Sequence, residues 1–322
     1  MIDVVIATYQ RPQGLRNCLV GLSRQSESDF RVVVVDDSSP EPVAEWLRPN
    51  DYPFALDTLR TAENSGPAHA RNLAAKRSDA EFIAFIDDDV VPTEDLLSRH
   101  RRAHVANGPH SVVIGPLASP PDWRPTPWNR WEAETIAVEY ERMRRGDYEP
   151  TWRQFFTGNA FLRRTDFLAA GGFNEQFLRA EDIELAYRLA RLGCHFVFEP
   201  EAKGWHYSER SLASWRKIPQ QYAWSDAALA GLYPDLKWRE LVARERSRRN
   251  PVTRTADAVL GAISARTSGA SAAIFAARLA AAVRAHFISS PLLSLAYELE
   301  YSRTSERLSK GQGINTASTA AG

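Results

Sequence analysis

The chain opens on an apolar run, Ile2-Asp-Val-Val-Ile-Ala-Thr8, and similar runs return at intervals. Phe30 to Val35 is the second, ending in Asp36-Asp37-Ser38-Ser39. Phe54 to Arg60 is a more mixed third. Phe82 to Ile86 is a block of five apolar residues without a polar break, and Ser111 to Gly115 follows. Runs this short and this apolar read as strands buried on both faces, as in a parallel sheet. Between them the spacing turns helical: Leu15, Leu19 and Leu22 after Pro12, then Glu41 to Leu47, Pro67 to about Lys76, and Thr93 to about Ala106. Pro12 and Pro67 suit first helical turns. Strands alternating with helices predict parallel βαβ units, so residues 1–115 read as a doubly wound α/β half.

Residues 116–157 break that alternation. Five prolines precede Trp128, and tryptophans stand at 123, 128, 131 and 152. An irregular insertion around a helix near Glu132 to Arg145 is expected. The tryptophans suit either an acceptor platform or glue for the insertion. Ala160 to Leu162 reads as a strand, Gly171-Gly172-Phe173 as a turn, and Glu181 to Leu192 as a helix closed by Gly193. His195 to Phe198 is a further strand, Trp205-His206-Tyr207 a strand exit, and Leu212 to about Leu232 a helix. The expected division is a catalytic domain over 1–235 (halves 1–115 and 116–235), a helical extension over 236–303, and a disordered tail over 304–322. The extension carries Arg244, Arg246, Arg248, Arg249 and Arg254, then Phe275, Leu279, Val283 and Phe287 at spacing four. Such a basic cluster and apolar stripe suit an anionic membrane surface, a second copy of the chain, or the catalytic domain itself.

Composition narrows the class. With 322 residues, 44% of them hydrophobic, the chain can bury a sizeable core. Its formal net charge is zero, so nothing global points to nucleic acid. Cys18 and Cys194 make no disulfide framework, and a reducing compartment is the default. No signal peptide and no membrane span is read. The expected location is the cytoplasm, with peripheral contact at the inner face of the membrane as an option.

The chemistry gathers at strand ends. Asp87-Asp88-Asp89 follow the most apolar strand directly. Three crowded carboxylates repel one another, and a divalent cation relieves that cost. In an extended backbone Asp87 and Asp89 point to the same side. Thr8-Tyr9, Asp36-Asp37 and Asn64 with Arg71 also fall at or just beyond strand ends. Strand ends of one parallel sheet converge on one crevice, so these groups form one candidate site. Arg71 offers a fork of donors to a base edge or a phosphate. Helix capping by Asp36 or Asp37, a surface salt bridge for Arg71, and an acidic first helical turn for Glu181-Asp182 are the bland alternatives.

Seven motifs in order carry a family resemblance. They are Ile6-Ala-Thr-Tyr-Gln-Arg-Pro12, Val33-Val-Val-Asp-Asp-Ser-Ser39, Asn64-Ser-Gly-Pro-Ala-His-Ala-Arg-Asn72, Phe85-Ile-Asp-Asp-Asp-Val90, Thr157-Gly-Asn159, Gly171-Gly-Phe-Asn-Glu175 and Glu181-Asp-Ile-Glu-Leu-Ala-Tyr-Arg188. Order and spacing over about residues 1–207 resemble the family 2 glycosyltransferases. The resemblance implies a GT-A-like fold, with a mostly parallel central sheet plus an α-helical C-terminal extension. It also implies inverting transfer from a nucleoside diphosphate sugar, with uridine the base by family habit alone. The acceptor would be a saccharide or lipid-linked hydroxyl in cell-surface polysaccharide or glycolipid synthesis.

Carried onto this chain, the resemblance gives Thr8, Tyr9, Asp36 or Asp37, Asn64 and Arg71 to the nucleotide. It gives Asp87 and Asp89 to an Asp-x-Asp motif, with Asp88 between them, and makes Asp89 the main ligand of Mn2+ or Mg2+. His206 would complete the metal shell. Gly158 and Asn159 would lie beside the donor sugar, and Glu181 would support the acceptor or the turn. Asp182 would be the catalytic base. A helix N-terminus independently favours its ionised form, which inversion needs to take the acceptor proton. Two rivals stand beside this reading. A sugar nucleotidyltransferase would need a glycine-rich loop after the first strand, which Ala7 to Arg11 lacks. A non-catalytic sugar- or membrane-binding protein could keep the fold without the activity.

Overall fold

The computed structural model describes residues 1–177, 179–247, 255 and 266–311. Arg248, Arg249 and Arg254 of the basic cluster, and the tail from 312, lie outside the described residues. The described chain divides into two compact units. The first comprises 1–123, 133–177 and 181–208; the second comprises 124–132, 178–180 and the chain from 209 onward.

The first unit is built on a seven-stranded sheet. In chain order its strands are β1 (Ile2–Thr8), β2 (Phe30–Asp36), β3 (Ala55–Arg60), β4 (Phe82–Ile86), β6 (Ser111–Ile114), β8 (Asn159–Arg163) and β9 (His195–Phe198). Their spatial order is β3-β2-β1-β4-β8-β6-β9. Every pairing is parallel except those of β8, which runs antiparallel to both β4 and β6. The apolar runs are buried on both faces, and β4 shows why. Phe82, Ala84 and Ile86 join one core with α1 (Pro12–Leu22) and α4 (Leu96–Asn107). Ile83 and Phe85 join the other with α3 (Pro67–Arg77), α6 (Arg164–Ala169) and α7 (Glu181–Arg191). Alternate side chains feed opposite layers, so the strand needs apolar residues throughout. Both cysteines are buried as small apolar groups.

A second, three-stranded sheet was not expected. It orders β5 (Val90–Pro92), β10 (Gly204–His206) and β7 (Leu117–Ala118) with β10 in the middle. After the aspartates the chain forms β5, which ends at Pro92 and pairs antiparallel with β10. Pairing Trp205 with Val91 and His206 with Val90 carries His206 back to the aspartate turn. No helix among the described residues is long and apolar enough to cross a membrane.

The second unit is helical: α8 (Leu212–Leu232), α9 (Trp238–Ser247), α10 (Arg266–Ala282) and α11 (His286–Ser309), joined by the first turns of α5 (Pro127–Arg144). Trp215 and Ile218 of α8 pack with Ala273, Ile274 and Ala277 of α10 and with Leu293 and Ala296 of α11. Small residues on α10 let its neighbours approach closely. This packing places the division at Ser208 and Glu209, whereas the sequence reading set it near 235. The helix of α11 also continues through Ser309, so the expected disorder from residue 304 is corrected over its first turns. Trp128 and Trp131 are spent on packing: their indole N–H groups donate to the Arg210 carbonyl and the Ser294 hydroxyl, and Trp131 meets Trp215 edge-on.

Candidate active site

Register brings the strand ends level. Thr8, Asp36 and Arg60 are cross-strand partners at the carboxyl ends of β1, β2 and β3. The aspartate turn leaves β4 beside them, tied by the Asp87 N–H donating to the Gly158 carbonyl. The candidates then separate into a buried frame and an open face.

The frame consists of Thr8, Asp36, Asp37, Asp88 and Asn159, all buried. The Thr8 hydroxyl donates to Asp88 Oδ2 at 2.7 Å. Asp36 accepts from the backbone N–H groups of Ser39 and Val43 and from the Arg60 guanidinium. Asp37 accepts from the Thr61 hydroxyl and the backbone N–H groups of Ser65 and Gly66, shaping the loop that enters α3. Asn159 is 1% exposed, and its amide bonds to the Pro116 and Ala202 carbonyls and to His100, so it braces the strands beside Gly158. Asp88 is buried and turns inward onto Thr8 and Arg11. Burial pushes the Asp88 carboxyl up to about 6; Arg11 and Thr8 pull against this, while Asp89 and Asp87 reinforce it.

The open face carries Asp87, Asp89, Glu181, Asp182 and His206, with Tyr9 and Asn64 exposed on neighbouring loops. Arg71 is the hub. One nitrogen donates to Asp87 Oδ1 at 2.7 Å and the other to Glu181 Oε1 at 3.2 Å. Burial disfavours its charge, but Asp87, Glu181 and Asp182 outweigh that and raise its pKa. Asp182 stands in the first turn of α7, its Oδ1 accepting from the Ile183 N–H. Gly158 packs directly against Asp87: a Cβ there would lie 2.9 Å from Asp87 Oδ2. His206 Nε2 lies 3.4 Å from Asp89 Oδ1, and the Tyr207 N–H donates to the Asp89 carbonyl.

Arg11 is the residue the sequence reading missed as a functional group. Its guanidinium bridges Asp88 at 3.2 Å and Asp89 at 2.9 Å. The only signal was its place three residues beyond the carboxyl end of β1. Two guanidiniums, Arg11 and Arg71, thus serve four carboxylates, leaving net negative charge at the turn.

Carboxylate oxygens beside one imidazole nitrogen fit a hard or borderline divalent cation. Asp89 and His206 already form the pair. Asp87 is turned onto Arg71 and would have to swing to join them. Among the described residues the trio of ligand atoms lying within 4.8 Å of one another is a different one, His110, Asp166 and Cys194. It sits at the amino ends of β6 and β9, the opposite edge of the sheet.

The sequence model of Glycosyl transferase family 2 matches residues 3–171, just over half of the chain, and spans the aspartate turn and its frame. The chain belongs to this family. It is 27% identical over 238 residues to the pre-mycofactocin glycosyltransferase of Mycobacterium tuberculosis, covering 73% of this chain and 48% of that one. It is 30% identical over 235 residues to the validoxylamine A glucosyltransferase of Streptomyces hygroscopicus, covering 63% and 54%. The chain therefore spans about half the length of these curated relatives. Among solved structures, the mannosyltransferase PcManGT of Pyrobaculum calidifontis, in complex with GDP-Man and Mn2+, superposes with a TM-score of 0.59 at 20% identity. That match covers 95% of this chain and 86% of that one. Residues 1–349 of Staphylococcus aureus TarS give 0.55 at 17% identity, covering 98% and 93%. These likenesses establish a GT-A-like fold.

Proposed function

We infer that this glycosyltransferase transfers a sugar with inversion from a nucleoside diphosphate sugar to a hydroxyl of a saccharide or lipid-linked acceptor. The observation that carries the reading is Arg71 holding Asp87 and Glu181 on one guanidinium, with Asp182 next in the chain. A donor-side carboxylate and the first turn of α7 thereby share one fixed anchor.

In this reading the exposed Tyr9 and Asn64 and the loop shaped by Asp37 receive the base and ribose. UDP is the proposed carrier. PcManGT holds GDP-Man and another TarS structure holds UDP, so both bases are to be tested. Asp89, His206 and Asp87 would hold Mn2+ or Mg2+, which when bound stabilises the charge of the leaving diphosphate. The side chain at 158 is reduced to hydrogen, leaving Asp87 its place under the donor. Asp182 accepts the acceptor hydroxyl proton as the oxygen attacks the anomeric carbon, and the diphosphate leaves from the opposite face. Asp182 stands in the first turn of α7, where the helix dipole favours a negative charge.

Asp182→Asn tests the assignment. Transfer should fall by roughly a hundredfold or more, as for loss of a general base, while donor binding stays near that of the parent. Loss of donor binding together with transfer would remove Asp182 from the role of base.

A further inference from the structure

The turn between α10 and α11 exposes apolar side chains that the helical core does not use. Phe275 and Leu279 on α10, Val283 in the turn, and Phe287 and Ile288 at the start of α11 are all exposed, Val283 at 76% and Phe287 at 81%. Spacing of four puts Phe275 and Leu279 on one stripe of α10, which Val283 continues just past the helix end. Their inward neighbours Ala270, Ala273, Ile274 and Ala277 are buried, so the helix is already packed on its other side. A run of large apolar groups this exposed marks an interaction surface.

A cavity of about 380 Å³ opens beside the same turn, entirely within the helical unit. Arg278 and His286 line it from the hairpin, and Pro125, Pro127, Trp128 and Arg130 from the start of α5. His286 Nδ1 is buried there without a hydrogen-bond partner among the described residues. Neither Arg130 nor Arg278 has a carboxylate partner among the described residues, so the cavity combines two guanidiniums, an orphan imidazole nitrogen and an indole. That chemistry suits a phosphate-bearing headgroup.

Charge along the chain decides between occupants. From Ala258 through Tyr297 there is no aspartate or glutamate, while Arg266, Arg278 and Arg284 are present. A second copy of this surface would oppose guanidiniums to guanidiniums with no carboxylate to receive them. An anionic bilayer offers phosphates to the arginines and acyl chains to Phe287, Val283 and Leu279. We propose that the α10–α11 turn is a membrane-docking tip, with Val283, Phe287 and Leu279 entering the interface and an anionic lipid headgroup seated between Arg278, Arg130 and His286. The docking is independent of which sugar donor the enzyme uses.

Cosedimentation of the full chain with vesicles tests this directly. Phosphatidylcholine vesicles with and without phosphatidylglycerol are the probes. The parent should bind the anionic vesicles roughly tenfold more than the neutral ones, and added salt should erase the difference. Val283→Glu/Phe287→Glu should abolish cosedimentation, and Arg278→Glu should remove the preference for anionic lipid. All substituted positions are exposed, and unchanged thermal unfolding will confirm that the variants fold. Absence of binding to either vesicle, or parent-like binding by the double variant, overturns the proposal. So does a dimer in sedimentation equilibrium that the double variant dissolves without any vesicle binding, because the stripe then covers a second copy. None of these readouts involves transfer, so failure here leaves the catalytic reading standing.

Discussion

Gly158 is closely packed at the open face, because Asp87 occupies the space that a side chain would need. A methyl group there would meet Asp87 Oδ2 at 2.9 Å and Leu117 Cδ1 at 3.0 Å. Gly158→Ala should therefore push the Asp87 carboxylate off Arg71 while leaving the core intact. Displacement of a positioned group by a fraction of an ångström costs roughly tenfold to a hundredfold in rate. Steady-state kinetics should show that loss with a melting temperature close to the parent's. Undiminished transfer would mean that the position of Asp87 is not critical. At this scale the sequence was partly legible. The expected extended backbone is instead a turn at Asp87–Asp89, in which Asp88 and Asp89 share Arg11 while Asp87 meets Arg71. Arg11 was not legible as the bridge between Asp88 and Asp89, since nothing local pairs residue 11 with residue 88. The partners of Asn159 were not legible either: its place beside Gly158 says nothing of the His100 ring and the two carbonyls that its amide meets.

At the scale of elements, α4 is locked to β8 through His100. The Asn159 amide donates to two carbonyls, so its Oδ1 must accept from the His100 Nε2–H, and His100 Nδ1 is left buried without a partner. Burial lowers the His100 pKa to about 4, with the Asn159 hydrogen bond opposing. The unfolded chain takes up this proton near pH 6.5, whereas the folded chain resists until about 4. Stability contributed by neutral His100 is thus complete above pH 6.5, drains as pH falls towards 4, and falls no further below that. The loss amounts to roughly 3 kcal/mol at most. His100→Gln keeps a donor for Asn159 without titrating. Its melting temperature should decline less steeply than the parent's between pH 6.5 and 4; parallel curves would show that His100 is not the group being protonated. The long elements were legible because each buries a full face, as β4 does between two cores. The three strands of the small sheet were not. Two or three residues carry no periodicity, and their pairing joins positions far apart in the chain, Gly204 with Pro92 and with Leu117.

For the whole molecule, the matched family covers the sheet and its aspartate turn, while the helices from Leu212 onward form a unit with a core of its own. In the sequence α8 looks like a continuation of the catalytic chain, which set the expected boundary near 235. Only its contacts with α10 and α11 assign it to the second unit. The account rests on the aspartate turn binding a nucleoside diphosphate through a divalent cation. Thermal unfolding with UDP, GDP, CDP and dTDP, each with and without Mn2+, measures this most directly, with Asp89→Asn run beside the parent. A ligand held at a hundredfold excess over its Kd stabilises the native state by about 2.7 kcal/mol, a rise of several degrees. The account predicts such a rise for one diphosphate, dependent on Mn2+ and lost in Asp89→Asn. A rise that ignores Mn2+ or survives in Asp89→Asn, or no rise with any diphosphate, would contradict it.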